Sequence, residues 1–228
     1  MNKRLPAIVL ILFFGVLAGV PAWAKSEMPA VNNEGMQLVE DSDLATVYAD
    51  PDADLGAYKR IWLEDATVAF KKNWKRDQNR TNPFKVDNKD MDRIRKDMAS
   101  IFREVLTKEL TGAGYQMATG PGDDVLKIVP EIVDLDIVAP DVDKATTSYS
   151  YSESAGEMTL HLALYDSVTG DKIVTATDRK RDYRKGYFEW RTSVSNRADA
   201  RRLMKGWAKA IRNMLDEARR TVKKAAPE

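Results

Sequence analysis

From Met158 to Tyr165 large apolar residues alternate with others: Met158, Leu160, Leu162 and Leu164 on one side, Thr159, His161, Ala163 and Tyr165 on the other. Successive side chains of a strand point to opposite faces, so this run is a half-buried strand. Ser167-Val168-Thr169-Gly170-Asp171 turns it into a second strand over 172–182. Two stretches at helical spacing supply a cover for the apolar face. Met91, Ile94, Met98, Ile101, Phe102, Val105 and Leu106 form one stripe; Leu203, Trp207, Ile211, Met214 and Ala218 form another. Asp87 or Asn88 caps the first helix, with Asp90 and Asp92 favourably placed in its first turn, and Gly112 and Gly114 end it. Asn196 is the expected cap of the second. Phe102, Leu160, Leu162, Leu164, Trp207 and Ile211 are expected to share one core.

The remaining segments are weaker. A first strand is expected over 59–63 and on through 66–70, then a long polar loop over 71–86 that contains Trp74, Pro83 and Phe84. A short strand follows over 115–118, and a β-rich stretch over 125–138 in which Pro130 indicates an edge position or a bulge. Residues 139–156 read as a loop or hairpin extension. The order is β-α-β-β-β-β-α, an α+β fold in which a mixed or antiparallel sheet packs against two amphipathic helices. One domain is expected over 47–226, after a flexible lead over 25–46.

The first residues address the chain outward. Asn2-Lys3-Arg4 precedes an apolar run from Ala7 to Val20, and Pro21-Ala22-Trp23-Ala24 follows. A positive start, an apolar middle and small residues at the cleavage site make a signal peptide over 1–24, with Lys25 as the new N-terminus. A spanning helix needs roughly 20 apolar residues; this run is shorter and ends in proline. No transmembrane span is therefore expected after cleavage, and the location is periplasmic or secreted. Loss of Lys3 and Arg4 takes the 36 basic residues to 34, against 35 acidic ones. That balance argues against nucleic acid as a partner. Cysteine is absent and histidine occurs once, as His161. A lipid-modified cysteine, a thiol nucleophile and a Cys-ligated zinc site are thereby excluded.

Candidate chemistry is sparse. Asp50, Asp52 and Asp54 begin like a calcium loop, but Leu55 and Ile61 stand where glycine and glutamate are required, so a turn is the better reading. Asp134 and Asp136 sit two apart on an expected strand, on one face, as a carboxylate pair for glycoside hydrolysis would; period-2 alternation alone explains the pattern, so a solvent-facing strand edge is the better reading. His161 has no nucleophile motif to serve. Basic residues crowd the last helix, where Arg202, Lys205, Lys209 and Arg212 lie opposite the apolar stripe. They suit either an anionic surface or a plain solvated face. Tyr187 and Trp190 interleave with Arg184, Lys185 and Arg191 in a mixture that suits an interface or a loop folded on the core. Residues 119–143 hold Asp123, Asp124, Glu131, Asp134, Asp136, Asp141 and Asp143 against Lys127 alone, so charge is segregated along the chain.

Tyr48-Ala49-Asp50-Pro51-Asp52-Ala53-Asp54 running into Tyr58-Lys59, Gly120-Pro121-Gly122-Asp123-Asp124-Val125-Leu126, Leu164-Tyr165-Asp166-Ser167-Val168-Thr169-Gly170 and Trp207-Ala208 stand in consistent order. On these stretches the chain resembles the bacterial family called domain of unknown function 3313. The resemblance implies an envelope protein, often lipid-anchored, with a fold similar to the small α/β domains at the N-terminus of TolB and in outer-membrane lipoprotein regulators. The missing cysteine departs from anchored members, and the resemblance implies no catalytic residues. The reading is a non-enzymatic envelope protein that binds or scaffolds, without a cofactor. Its partner is an envelope protein or an anionic envelope surface, with Arg202, Lys205, Lys209, Arg212, Tyr187 and Trp190 as candidate contacts. The alternatives are a hydrolase of envelope polymers using Asp134 and Asp136, and a membrane-surface protein docking through the basic helix.

Overall fold

A computed structural model describes residues 28–81, 85–137, 150–152, 156–181, 189–191 and 193–225. The expected signal peptide and Tyr187 lie outside them. The described elements run β1 (Gln37–Leu38), β2 (Thr46–Ala49), a 3-10 turn (Leu55–Ala57), β3 (Arg60–Leu63), β4 (Thr67–Phe70), α1 (Trp74–Thr81), α2 (Asn88–Gly112), β5 (Gln116–Met117), β6 (Val125–Asp136), β7 (Ser150–Ser152), β8 (Glu157–Asp166), β9 (Lys172–Arg181), β10 (Glu189–Arg191) and α3 (Ser193–Ala225). One mixed sheet has the order β1-β2-β9-β8-β6-β3-β5, with β4 also on β6. β7 and β10 pair with each other, antiparallel. This is the expected α+β class.

The β8–β9 hairpin and β6 set the core register. Leu164 lies opposite Ile128 and Val174, Leu162 opposite Pro130 and Ala176, and Leu160 opposite Ile132. These side chains share one face of the sheet, and α2 and α3 bury it. Phe102 of α2 meets Trp207 of α3 edge-on, with ring centroids 6.5 Å apart. All six residues expected in one core are there. Asp178 is buried in the same layer and satisfied three ways: it accepts from Trp207 Nε1 at 2.8 Å and Ala45 N at 3.0 Å, and pairs with Lys180. A buried carboxylate without such partners would be costly.

α2 begins and ends by local chemistry. The Asp87 carboxylate accepts from Asp90 N while Asp90 accepts from Asp87 N, a reciprocal cap. At the other end Gly114 adopts φ +87°, Gly114 N donates to Thr111 O and Tyr115 N to Leu110 O. Glycine supplies the left-handed residue that such a stop requires. α3 departs from expectation: it starts at Ser193, so Asn196 lies inside it. Its buried ridge is Ala200, Met204, Trp207, Ala208, Ile211 and Leu215, with Leu203 and Met214 at the margin.

Three further corrections have physical causes. Residues 71–86 are not all loop, because α1 occupies part of them. Trp74 anchors α1: its ring stacks on Phe70 at 4.2 Å and its Nε1 donates to Ile137 O. A helix held by one aromatic leaves no apolar period to detect. Pro130 is in the interior of the sheet, since β6 pairs with β3 and β4 on one side and β8 on the other. Ile128 O accepts from Glu64 N, so residues of that parity turn toward β3 and β4. The absent N–H of Pro130 faces the seam where β3 has ended and β4 has not begun. The bulge lies further on, where Asp134 and Leu135 oppose Met158 alone and Asp134 takes φ +50°. Finally, the stretch read as a lead contributes β1 and buries Met36 and Leu44.

Candidate functional site

α3 sorts its basic residues by flank. On the flank toward α2, Arg197 pairs with Asp97 at 2.6 Å, Arg201 with Glu104 at 2.6 Å and Arg212 with Glu109 at 3.0 Å. Arg212 also reaches Asp216. Away from α2, Arg202 holds Asp199 at 3.4 Å. Lys205 and Lys209, one turn apart, are exposed and have no carboxylate partner among the described residues. The four helix positions singled out from sequence therefore divide: Arg212 joins helix to helix, whereas Lys205 and Lys209 face solvent. Trp190 lies in β10, opposite Tyr151 of β7.

A groove of about 720 Å³ runs between residues 39–43 with β2 and the C-terminal half of α3. It exists because small side chains stand where larger ones would close it: Ala49 on β2, Ala210 and Ala218 on α3. Val47, Leu55, Val174 and Met214 complete an apolar floor. Glu40, Asp41, Asp43 and Glu217 stand around it, with Arg220 as the lining cation among the described residues. Asn213 Nδ2 donates to Asp43 Oδ2 at 2.6 Å and holds the loop against the helix. Sequence reading missed this groove. Three of its four acids fall in the stretch taken as a lead, the fourth is on α3, and no periodicity joins positions 40 and 217.

Asp134 and Asp136 are not successive ladder positions, because the bulge lies between Val133 and Asp136. Asp134 is exposed, while Asp136 pairs with Lys71 at 2.7 Å. Next to it Glu157 faces Arg179 at 2.6 Å, Lys71 at 3.5 Å and Arg181 at 3.9 Å. The Arg179 hydrogen bond, helped by the other cations, holds the Glu157 carboxyl below the usual range. A glycosidase needs one carboxylic acid held protonated near neutrality. Among the described residues every displaced carboxyl, namely Asp87, Asp124, Glu157 and Asp166, moves the other way. His161 is exposed on the sheet face away from the helices, with Nδ1 3.0 Å from Thr177 Oγ1. No group of three or more His, Cys, Asp or Glu among the described residues is placed to hold a metal ion.

Three of the four stretches that carry the family resemblance, all but Trp207-Ala208, converge at one end of the sheet. Tyr58 donates to Asp166 at 2.8 Å, and Asp166 accepts from Val168 N and Thr169 N in the β8–β9 turn. Those backbone donors, with Tyr58, lower the Asp166 carboxyl; burial and the same contact raise the Tyr58 phenol. Ser167 Oγ donates to Gly122 O and accepts from Gly122 N. Arg60 pairs with Asp124. Arg219 of α3 lies 3.5 Å over the Tyr115 ring and donates to Tyr58 O at 3.2 Å. Asp50 and Asp54 accept from Asp52 N and Gly56 N, the expected turn. These ties bind the segment before β3, the start of β6, the β8–β9 turn and α3 to one another.

The family model described as protein of unknown function, DUF3313, matches residues 30–211. The chain belongs to that family, the one its motifs resemble. No curated protein matches it. Among solved structures it is similar to the PelC dodecamer from Paraburkholderia phytofirmans, at 12% identity over 73% of this chain and 94% of that one, with a TM-score of 0.35. A minor lipoprotein from Acinetobacter baumannii is 14% identical over 71% and 95% of the two chains, with a TM-score of 0.35. A DUF330 protein from Xanthomonas campestris is 10% identical over 74% and 93%, with a TM-score of 0.39. Similarities this distant say nothing of this chain's activity. Among the described residues no helix is long and apolar enough to cross a membrane.

Proposed function

We propose that the chain is an exported, non-enzymatic protein of the bacterial cell envelope that acts by binding a partner. The observation that carries this reading is the groove beside α3, apolar at its floor and charged at its rim, a composition suited to recognition. The targeting pattern of the first 24 residues supports export. In-cell crosslinking of the exported form tests the proposal. A reproducible envelope partner is expected. Turnover of envelope polymers by purified protein, lost in Asp134→Asn with Asp136→Asn, would instead establish the hydrolase alternative.

A second reading, docking on an anionic membrane surface, is favoured by Lys205 and Lys209. Their ammonium groups face solvent while the arginines on the α2 flank are paired. Lysines on an outward helix face meet lipid phosphates by long-range attraction that salt screens.

A further inference from the structure

We propose that the groove between residues 39–43 and α3 receives a cationic amphipathic segment of a partner protein. The inference rests on the binding function proposed above and names the chemistry of what is bound. The floor of Val47, Ala49, Leu55, Val174, Ala210 and Met214 offers apolar side chains a place out of water. At about 720 Å³ it has room for several side chains of one segment. Val39 at its mouth is 40% exposed, an apolar surface that such a segment would cover.

Charge selects the occupant. Among the described residues Glu40, Asp41, Asp43 and Glu217 line the groove against Arg220 alone, and Arg220 Nε already donates to Asp216 O. Glu40 and Asp41 have no ion pair among the described residues. An anionic lipid or acidic peptide would meet like charge there, which selects against it. A segment with leucine-like residues on one face and lysine or arginine beside them satisfies floor and rim together. Helix-in-groove recognition works this way. The groove and the outward lysines of α3 thus carry opposite charge and call for different partners.

Fluorescence anisotropy with a short labelled helical peptide tests it, with leucines at i, i+3, i+4 and i+7 and lysines elsewhere. The control peptide carries glutamate for lysine, and the protein is the whole chain from Lys25. The lysine peptide should bind and the glutamate peptide should be at least about tenfold weaker, about 1.4 kcal/mol. Glu40→Lys with Asp41→Asn should weaken the lysine peptide about tenfold or more. Ala218→Trp, which fills the groove from α3, should abolish binding with the circular dichroism spectrum unchanged. Lys205→Glu with Lys209→Glu should leave it intact. Equal binding of both peptides, or binding indifferent to the groove variants, overturns the proposal. A photo-crosslinking residue at position 214 and another at 205 separate this failure from the broader one. A partner captured through 205 alone, with no peptide binding, removes the groove inference and keeps the binding function. Capture at neither position, with no peptide binding, removes both.

Discussion

The two flanks of α3 carry the same kinds of residue in different states. Toward α2, Arg197, Arg201 and Arg212 each meet a carboxylate on the neighbouring helix. Toward solvent, Lys205 and Lys209 meet none among the described residues. Between the flanks runs the buried ridge of Met204, Trp207, Ala208 and Ile211. A basic helix in a sequence is therefore not yet a basic surface. Which cations are available to a partner depends on what the neighbouring helix places opposite them.

Breaking the ridge should have the largest effect, because both flanks are positioned by it. Trp207→Ala removes a fully buried indole and leaves Asp178 short of one donor. A loss of about 3–5 kcal/mol is expected in denaturant unfolding. Trp207→Phe keeps most of the ring and loses the hydrogen bond, so about 1–3 kcal/mol should be lost. A small loss for Trp207→Ala would mean that the ridge does not set the flanks.

The α2 flank comes next. Exposed ion pairs typically contribute about 0.2–1 kcal/mol each. Replacing Arg197, Arg201 and Arg212 together by Ala should lower the thermal midpoint modestly, less than Trp207→Ala does. If the triple variant unfolds as readily as Trp207→Ala, these pairs hold the helices and the ridge does not.

Acid sharpens the comparison from outside α3. Asp90 N at the α2 cap, Arg60, Arg179 and Thr169 N hold the carboxyls of Asp87, Asp124, Glu157 and Asp166, respectively, below their usual range. Each binds its proton more weakly in the folded chain than in the unfolded one. The stabilisation is thus present above the unfolded values, about 4, and is lost as pH falls through the lower folded values. None of the four lies on α3. The thermal midpoint should stay level from about pH 5 to 8 and drop below about pH 4. It should drop in parallel in the wild type and the triple arginine variant; a flatter curve in the variant would assign acid sensitivity to α3.

What the sequence made legible was whatever a local period or cap encodes. The β8 alternation, the α2 stripe with Asp87 and Gly114 at its ends, and the shared core around Trp207 follow from spacing alone. Features that depend on a distant partner did not. α1 is held by the contact of Trp74 with Phe70 and Ile137 O. Pro130 is tolerated inside the sheet because β3 and β4 leave a seam on β6, which no reading of residues 125–138 can reveal. The groove is the extreme case: its acids and its small residues come from segments far apart in the chain. The basic stripe lay between, visible as composition, with its sorting hidden until α2 was placed.

The smallest effect on stability should come from the outward lysines, and that is what makes them informative. Lys205→Glu with Lys209→Glu removes no ion pair among the described residues and replaces only exposed side chains, so the unfolding free energy should change by less than about 0.5 kcal/mol, as for most surface changes. If these lysines dock the protein on an anionic surface, the wild type should sediment with vesicles containing anionic phospholipid. Binding should weaken as salt shortens the screening length from about 10 Å at 0.1 M to about 3 Å at 1 M. The double variant should lose it. The triple arginine variant should keep it, because its missing charges were already neutralised by Asp97, Glu104 and Glu109. Equal sedimentation of the wild type and the double variant would make the outward flank a solvated surface, and the contrast between the two sides of α3 would then concern packing alone.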